Sequence, residues 1–333
     1  MANGKTALVL GATGGIGGEV AARLVARGWR VRALNRNPAA MKPGDGIEWI
    51  AGDAMRKEDV LAAAQGASVI LHGVNPPGYR DWDKLVLPML ESSIAAASAT
   101  GARIILPGTV YNFGPDAFPL LSERSPQRPL TRKGKIRVEM ERRLAAAAER
   151  GVRSLVLRAG DYFGPSAKNN WFSQGLVKPG RKVGAISYPG RDGVGHAWAY
   201  LPDVAETVIR LIEREDELGR FELFHFGGHF DGDGKRMIEA IRGAVSEPRL
   251  PVRSFPWFAL VALSPFVTLF REMREMRYLW QEPIRLDNRR LVAFLGAEPH
   301  TPIEVAVRQT LEGLGCLPAA AQAGSRLEAG AGA

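Results

Sequence analysis

The octapeptide Gly11-Ala12-Thr13-Gly14-Gly15-Ile16-Gly17-Gly18 follows directly on the apolar run Thr6 to Leu10 and precedes an amphipathic segment. Glycine at 11, 14 and 17 lets the main chain turn sharply, approach a bound group closely, and press the next helix against the preceding strand. A loop of this kind grips a diphosphate, because the first N–H groups of a helix are free and its N-terminus carries partial positive charge. Gly11, Thr13, Gly14, Gly15, Ile16 and Gly17 are therefore the candidate pyrophosphate residues of a dinucleotide site.

Leu34-Asn35-Arg36-Asn37 closes the second apolar run, where a NAD site presents a carboxylate to the ribose 2'-hydroxyl. No carboxylate stands there. Asn35 and Arg36 instead favour a 2'-phosphate, so the spacing points to NADP, with NAD as the alternative. Farther on, Asp53 with Ala54 is placed to accept a hydrogen bond from an adenine amino group. Gly73, in His72-Gly73-Val74-Asn75, borders the adenosine ribose and the phosphates.

These residues need a scaffold, and the chain predicts one. Thr6–Leu10, Val31–Leu34, Ile47–Ile50, Val69–Leu71, Ile104–Leu106 and Leu155–Leu157 read as six buried strands. Amphipathic segments lie between them, such as 18–27 stopped at Gly28 and 136–150 stopped at Gly151. Strand and helix in alternation predict a Rossmann-type α/β fold, a doubly wound parallel sheet whose ligands lie at the carboxyl ends of the strands. The predicted organisation is a dinucleotide-binding core over 1–165 and a smaller substrate lobe over 166–317. Within that lobe 196–226 returns to the core, and 318–333 is an Ala- and Gly-rich disordered tail.

The 333 residues carry 44 Lys plus Arg against 35 Asp plus Glu, a net charge of +9 that suits a phosphate-bearing ligand. A lone cysteine, Cys316, excludes an intrachain disulfide and a cysteine zinc cluster. His225 and His229 flank Phe226-Gly227-Gly228, which should not form the helix that would align them on a metal, so none is expected. Seven basic residues between Arg128 and Arg143 have no base-stacking aromatic among them, and nucleic acid is not the expected partner. The first residues lack a secretory pattern, which makes the cytoplasm the default location. Ser254 to Phe270 is 17 residues without a charge, interrupted by Pro256 and Pro265. It reads as a helix packed within the C-terminal part or on a second copy, with a substrate lid or membrane-surface contact as the alternative, rather than as a membrane span.

Taken together, the motifs from about Lys5 to Leu314 resemble the extended or atypical branch of the short-chain dehydrogenase/reductase superfamily, the NAD(P)-dependent epimerases, dehydratases and reductases. The G-x-x-G-x-x-G spacing and Asp53 agree with it. So do 109–114, Leu157-Arg158-Ala159-Gly160-Asp161-Tyr162-Phe163-Gly164-Pro165, Ala199-Tyr200-Leu201-Pro202-Asp203-Val204-Ala205, Leu295-Gly296-Ala297-Glu298-Pro299 and Thr301-Pro302-Ile303. The resemblance implies that Thr109 holds the substrate oxygen and that Lys135 binds the nicotinamide ribose, with Ala159 and Tyr162 beside the cofactor. A family tyrosine four residues before the lysine exchanges the proton, and here that position is Thr131. An aliphatic hydroxyl is far too weak an acid to replace a phenol. Four readings follow: Tyr111 substitutes, Tyr162 does, the reaction needs no tyrosine, or the chain is a non-catalytic NADP-binding sensor. The branch also pairs two helices into a homodimer, here Trp82 to Ala99 and Ile136 to Ala148, with Leu85, Met89, Ile94, Met140 and Leu144 as candidate contacts or as residues facing the sheet. The expected substrate is a small carbonyl or hydroxyl compound. Asn169, Asn170, Trp171 and Phe172 offer it an amide and aromatic surface.

Overall fold

A computed structural model of the chain describes residues 5–41, 44–76, 81–167, 170–266 and 268–317. The strands are β1 (Thr6–Leu10), β2 (Arg30–Asn35), β3 (Ile47–Ala51), β4 (Val69–His72), β5 (Arg103–Gly108), β6 (Leu120–Leu121), β7 (Arg153–Arg158), β8 (Asp161–Phe163), β9 (Ile186–Tyr188), β10 (His196–Tyr200), β11 (Phe221–His225), β12 (His229–Asp231), β13 (Val252–Ser254) and β14 (Arg285–Leu286). The helices are α1 (Gly15–Ala26), α2 (Lys57–Ala63), α3 (Trp82–Thr100), α4 (Arg132–Glu149), α5 (Leu201–Glu213), α6 (Arg236–Val245), α7 (Trp257–Leu263), α8 (Thr268–Glu275), α9 (Arg289–Leu295) and α10 (Ile303–Gly313).

Seven parallel strands in the order β11-β7-β5-β4-β1-β2-β3 form the central sheet. Successive β1 side chains point to opposite faces, and both faces are dry. Ala7 and Val9 pack with Val20, Leu24, Val204 and Val208 of α1 and α5, whereas Leu8 and Leu10 pack with Val60, Leu90, Ile94 and Leu144 of α2, α3 and α4. This two-sided burial is why the strand reads as an unbroken apolar run instead of an alternating one. The six anticipated strands are all in the sheet. The seventh, β11, adds to the β7 edge in register from Phe221↔Ser154 to His225↔Arg158. Both helix-stopping glycines hold positive φ, +76° at Gly28 and +93° at Gly151.

The remaining elements build a second aromatic-rich core around Phe163, Phe172, Trp198, Tyr200 and Trp280, carried by the small sheets β12-β10-β8, β13-β9 and β14-β6 with α6 and α10. Several expectations are corrected here. Helix α4 starts at Arg132, four residues before the anticipated Ile136, because Thr131 caps it, its Oγ1 accepting from the Gly134 N–H at 3.0 Å. Residues 254–270 are not one packed helix: β13 ends at Ser254 and the short α7 follows. No described helix is long and apolar enough to cross a membrane. Of the five residues read as dimer contacts or as facing the sheet, Ile94, Met140 and Leu144 belong to the core and Leu85 and Met89 line the cavity described next. The region 318–333 lies outside the described residues.

Candidate functional site

A cavity of about 640 Å³ runs along the carboxyl ends of β1, β2, β4 and β5 to β8. Its floor is the glycine loop. Gly11 has φ +89°, and a Cβ there would stand 2.6 Å from the Gly73 carbonyl oxygen. A Cβ on Gly17 would stand 2.1 Å from the Gly11 oxygen, so α1 approaches β1 more closely than any side chain permits. Gly14 is the N-cap of α1, no acidic residue occupies the first turn, and Gly18 N–H donates to the Gly14 oxygen at 2.8 Å. The helix therefore presents an uncompensated positive end to the cavity.

The structure brings most of the sequence-predicted residues to this one space. Gly11, Thr13, Gly14, Gly15 and Ile16 line it at the loop, and Asn35, Arg36, Asp53, Ala54 and Gly73 line it beside the loop. Thr109, Tyr111 and Tyr162 line its other end. Arg36 is exposed, and the Asn35 Oδ1 accepts from the Asn37 N–H at 2.8 Å, which shapes the turn that presents the guanidinium. Asp53 uses Oδ1 to accept from Met55 N–H at 2.9 Å and has its own N–H held by Asp59 at 2.9 Å.

Three predicted residues are placed elsewhere. Gly17 underlies the loop without lining the cavity, in keeping with its packing role. Ala159 is fully buried among Val204, Ala205 and Val208 on the helix side of the sheet, so it does not line the cavity. Lys135 is exposed and absent from the lining, whereas Lys133 is only 2% exposed and lines the cavity. On a helix two residues are about 200° apart, so 133 and 135 face opposite ways. Lys133, Arg137, Met140, Glu141 and Leu144 share the inward face, the i, i+4, i+7, i+8, i+11 stripe that could have identified the lysine from sequence. Four residues before Lys133 stands Pro129, and Thr131 has its hydroxyl committed to the helix cap. No phenol takes the family position in either register.

Of the two substitute tyrosines, Tyr162 is half-buried and donates its hydroxyl to the Gly108 carbonyl at 2.9 Å, and desolvation of that hydroxyl raises its pKa well above the ordinary phenol value. Its proton is held. Tyr111 is half-buried beside Thr109, whose Oγ1 accepts from the Tyr111 N–H at 3.3 Å. Its backbone oxygen lies 2.2 Å from where a Gly134 Cβ would sit, so the loop and the start of α4 are locked together.

Residues that the motifs did not reveal complete the wall. Arg137 lies over the Trp82 ring at 5.3 Å and donates to the Pro107 carbonyl at 3.3 Å. Asp161 accepts from His196 Nε2 across 2.8 Å, and the His196 ring stacks on Trp280 with centroids 3.7 Å apart. His72 lines the cavity with Nδ1 2.8 Å from Ser93 Oγ, and burial followed by the Arg137 charge pushes its pKa down to about 3. It is neutral at any physiological pH. Part of the lining is apolar, formed by Leu85, Met89, Trp171, Met273 and Met276. Asn170 turns its side chain to its own loop, accepting from Ser173 N–H and donating to the Ala167 oxygen, and Phe172 is in the core. Asn169 lies outside the described residues.

Residues 11–148 match the NAD(P)H-binding family. The chain is also similar to the solved structures of MoeE5 in complex with UDP-glucose and NAD (TM-score 0.72, 18% identity, 93% of this chain and 98% of that one) and of UDP-glucose 4-epimerase from Thermotoga maritima (TM-score 0.69, 17% identity, 92% and 97%). These likenesses show a shared fold. In that fold, the glycine loop, Arg36 and Lys133 line one cavity along the carboxyl edge of the sheet. A Streptomyces 3-diazoavenalumate denitrifying reductase is 29% identical over 176 residues, 47% of this chain and 56% of that protein, so the match spans about half of either.

Proposed function

We propose that the chain is an NADP-dependent reductase of a small, largely apolar substrate. The observation that carries this reading is the single cavity joining the glycine loop and Arg36 at one end to Thr109, Tyr111 and Lys133 at the other, closed by Met and Trp side chains. The loop fits a dinucleotide, since Gly11, Gly14 and Gly15 line the cavity at the N-terminus of α1, where no acidic residue occupies the first turn. When bound, the dinucleotide supplies a hydride donor. Arg36 would pair with its 2'-phosphate, and Lys133 would hold its ribose hydroxyls. Thr109 orients the substrate oxygen. Tyr111, in the same lining as Lys133, is the proton donor to that oxygen. The apolar far wall argues against a nucleotide sugar, the ligand named for MoeE5, and the reductase relative supports reduction over epimerisation.

The missing family phenol favours a second reading, a nucleotide-responsive protein without turnover. Titration with both cofactors tests the nucleotide assignment: Arg36→Ala should weaken NADPH about 10- to 100-fold, the size of a charge-assisted contact, and leave NADH unchanged. Equal affinities of the wild type for NADPH and NADH discard the 2'-phosphate assignment. A screen of aromatic aldehydes, ketones and enones for NADPH oxidation then separates enzyme from sensor. Lys133→Ala should lose at least 100-fold in kcat/KM while Lys135→Ala keeps full activity, and the opposite pattern would return the role to Lys135.

A further inference from the structure

Helix α7 has the sequence Trp-Phe-Ala-Leu-Val-Ala-Leu, apolar on every side, yet only part of it meets the protein. Leu260 is buried, while Phe258 is 87% exposed, Val261 37% and Phe266, in the following turn, 85%. Between Pro256 and Phe266 every described side chain that is exposed is apolar. Scattered exposed apolar residues are ordinary on a soluble surface, but a contiguous apolar tip is an interaction site.

The tip is held out from the body by a firm base. Trp257 Nε1 donates to the Pro189 carbonyl at 2.9 Å, and the Arg277 guanidinium lies 5.6 Å from the Trp257 ring. Across the hairpin Arg274 donates to Ser264 Oγ at 3.3 Å. The uncharged stretch is flanked by cations, Arg253 on entry and Arg271 on exit, both exposed, with Arg249 and Arg274 beyond them. From 249 to 277 there are five arginines against Glu272 and Glu275, and the whole chain carries +9.

We propose that this hairpin docks the protein on an anionic phospholipid surface, Phe258 and Phe266 entering the acyl boundary and the arginine collar meeting the head groups. The charge pattern selects this occupant over a second copy of the chain, which would set two arginine collars against each other. With no described helix long and apolar enough to cross, the mode is surface seating and not a span. The same hairpin continues into Met273 and Met276 of the cavity wall, so an apolar compound dissolved in the lipid meets the site at its apolar end.

Co-sedimentation of the full chain with sonicated vesicles tests this. Binding is expected to vesicles of phosphatidylcholine mixed with phosphatidylglycerol, and at least tenfold less to phosphatidylcholine alone. Phe258→Ser with Phe266→Ser should lower binding at least tenfold with the thermal midpoint and NADPH affinity unchanged, which separates this inference from the nucleotide reading. If that pair does not fold, Arg253→Glu with Arg271→Glu should remove the dependence on phosphatidylglycerol. Absence of binding to the mixed vesicles overturns the proposal. So does sedimentation velocity showing a wild-type dimer that the phenylalanine pair splits, since the occupant is then a second copy.

Discussion

Glu141→Ala should lower the free energy of unfolding by about 3–5 kcal/mol, the cost of leaving a buried charge without its partner. Glu141 is 4% exposed and receives two hydrogen bonds from Arg158, which is wholly buried, and one from Asn112 at 2.9 Å. Arg158 also contacts His225 Nε2 at 3.1 Å, and His225 Nδ1 meets the Leu121 carbonyl at 3.1 Å. Five elements thus converge on one carboxylate: α4, β7, β11, β6 and the loop that carries Thr109 and Tyr111. Truncation orphans the guanidinium, whereas Glu141→Leu combined with Arg158→Leu removes both charges and should cost less than the sum of the single changes. Urea titration of Glu141→Ala, the two single leucine variants and their combination measures this. A loss below about 1 kcal/mol for Glu141→Ala would show that water reaches Arg158 and that the network is not an anchor.

Acid should unfold the protein earlier than its carboxylates alone would. Burial is the first cause that lowers His72 and His225 to about 3 and His229 to about 4, with the Arg137, Arg158 and His300 charges adding to each in turn. In the unfolded chain the same rings titrate near 6.5. Between pH 6.5 and about 4 the unfolded state therefore binds up to three more protons than the native state, so stability is complete above pH 6.5 and is lost as pH falls. The slope approaches about 4 kcal/mol per pH unit, roughly 1.4 from each histidine. Both ring nitrogens of His229 lack hydrogen-bond partners, so His229→Phe should fold and should lower that slope by about a third. Urea midpoints from pH 7 to 4.5 decide the matter. A flat profile down to pH 5 would mean these rings are hydrated in the native protein.

The fold was legible because both faces of the sheet are covered. Strands buried on two sides must be apolar throughout, and those runs, with Gly28 and Gly151 as helix stops, are what periodicity detects. The glycine loop was legible too, since glycine is forced wherever backbone meets backbone, as at Gly11 and Gly17. The substrate end was harder to read. Motif spacing aligned Lys135, whereas the inward stripe of α4 that begins two residues after the Thr131 cap carries Lys133. Asp161 and His196 are 35 residues apart, and Met273 reaches the cavity from a hairpin with no local signature, so their meeting is a property of tertiary packing alone.

Strand β11 closes the sheet on β7 only after the whole of β8 to α5 has been laid down between them. A chain growing from its N-terminus therefore carries the naked rim of β7 until residue 225 has emerged, and Arg158 waits equally long for His225. The central sheet cannot close until β8 to α5 have been made, and during translation that rim is the place where two nascent copies would most easily cross-pair.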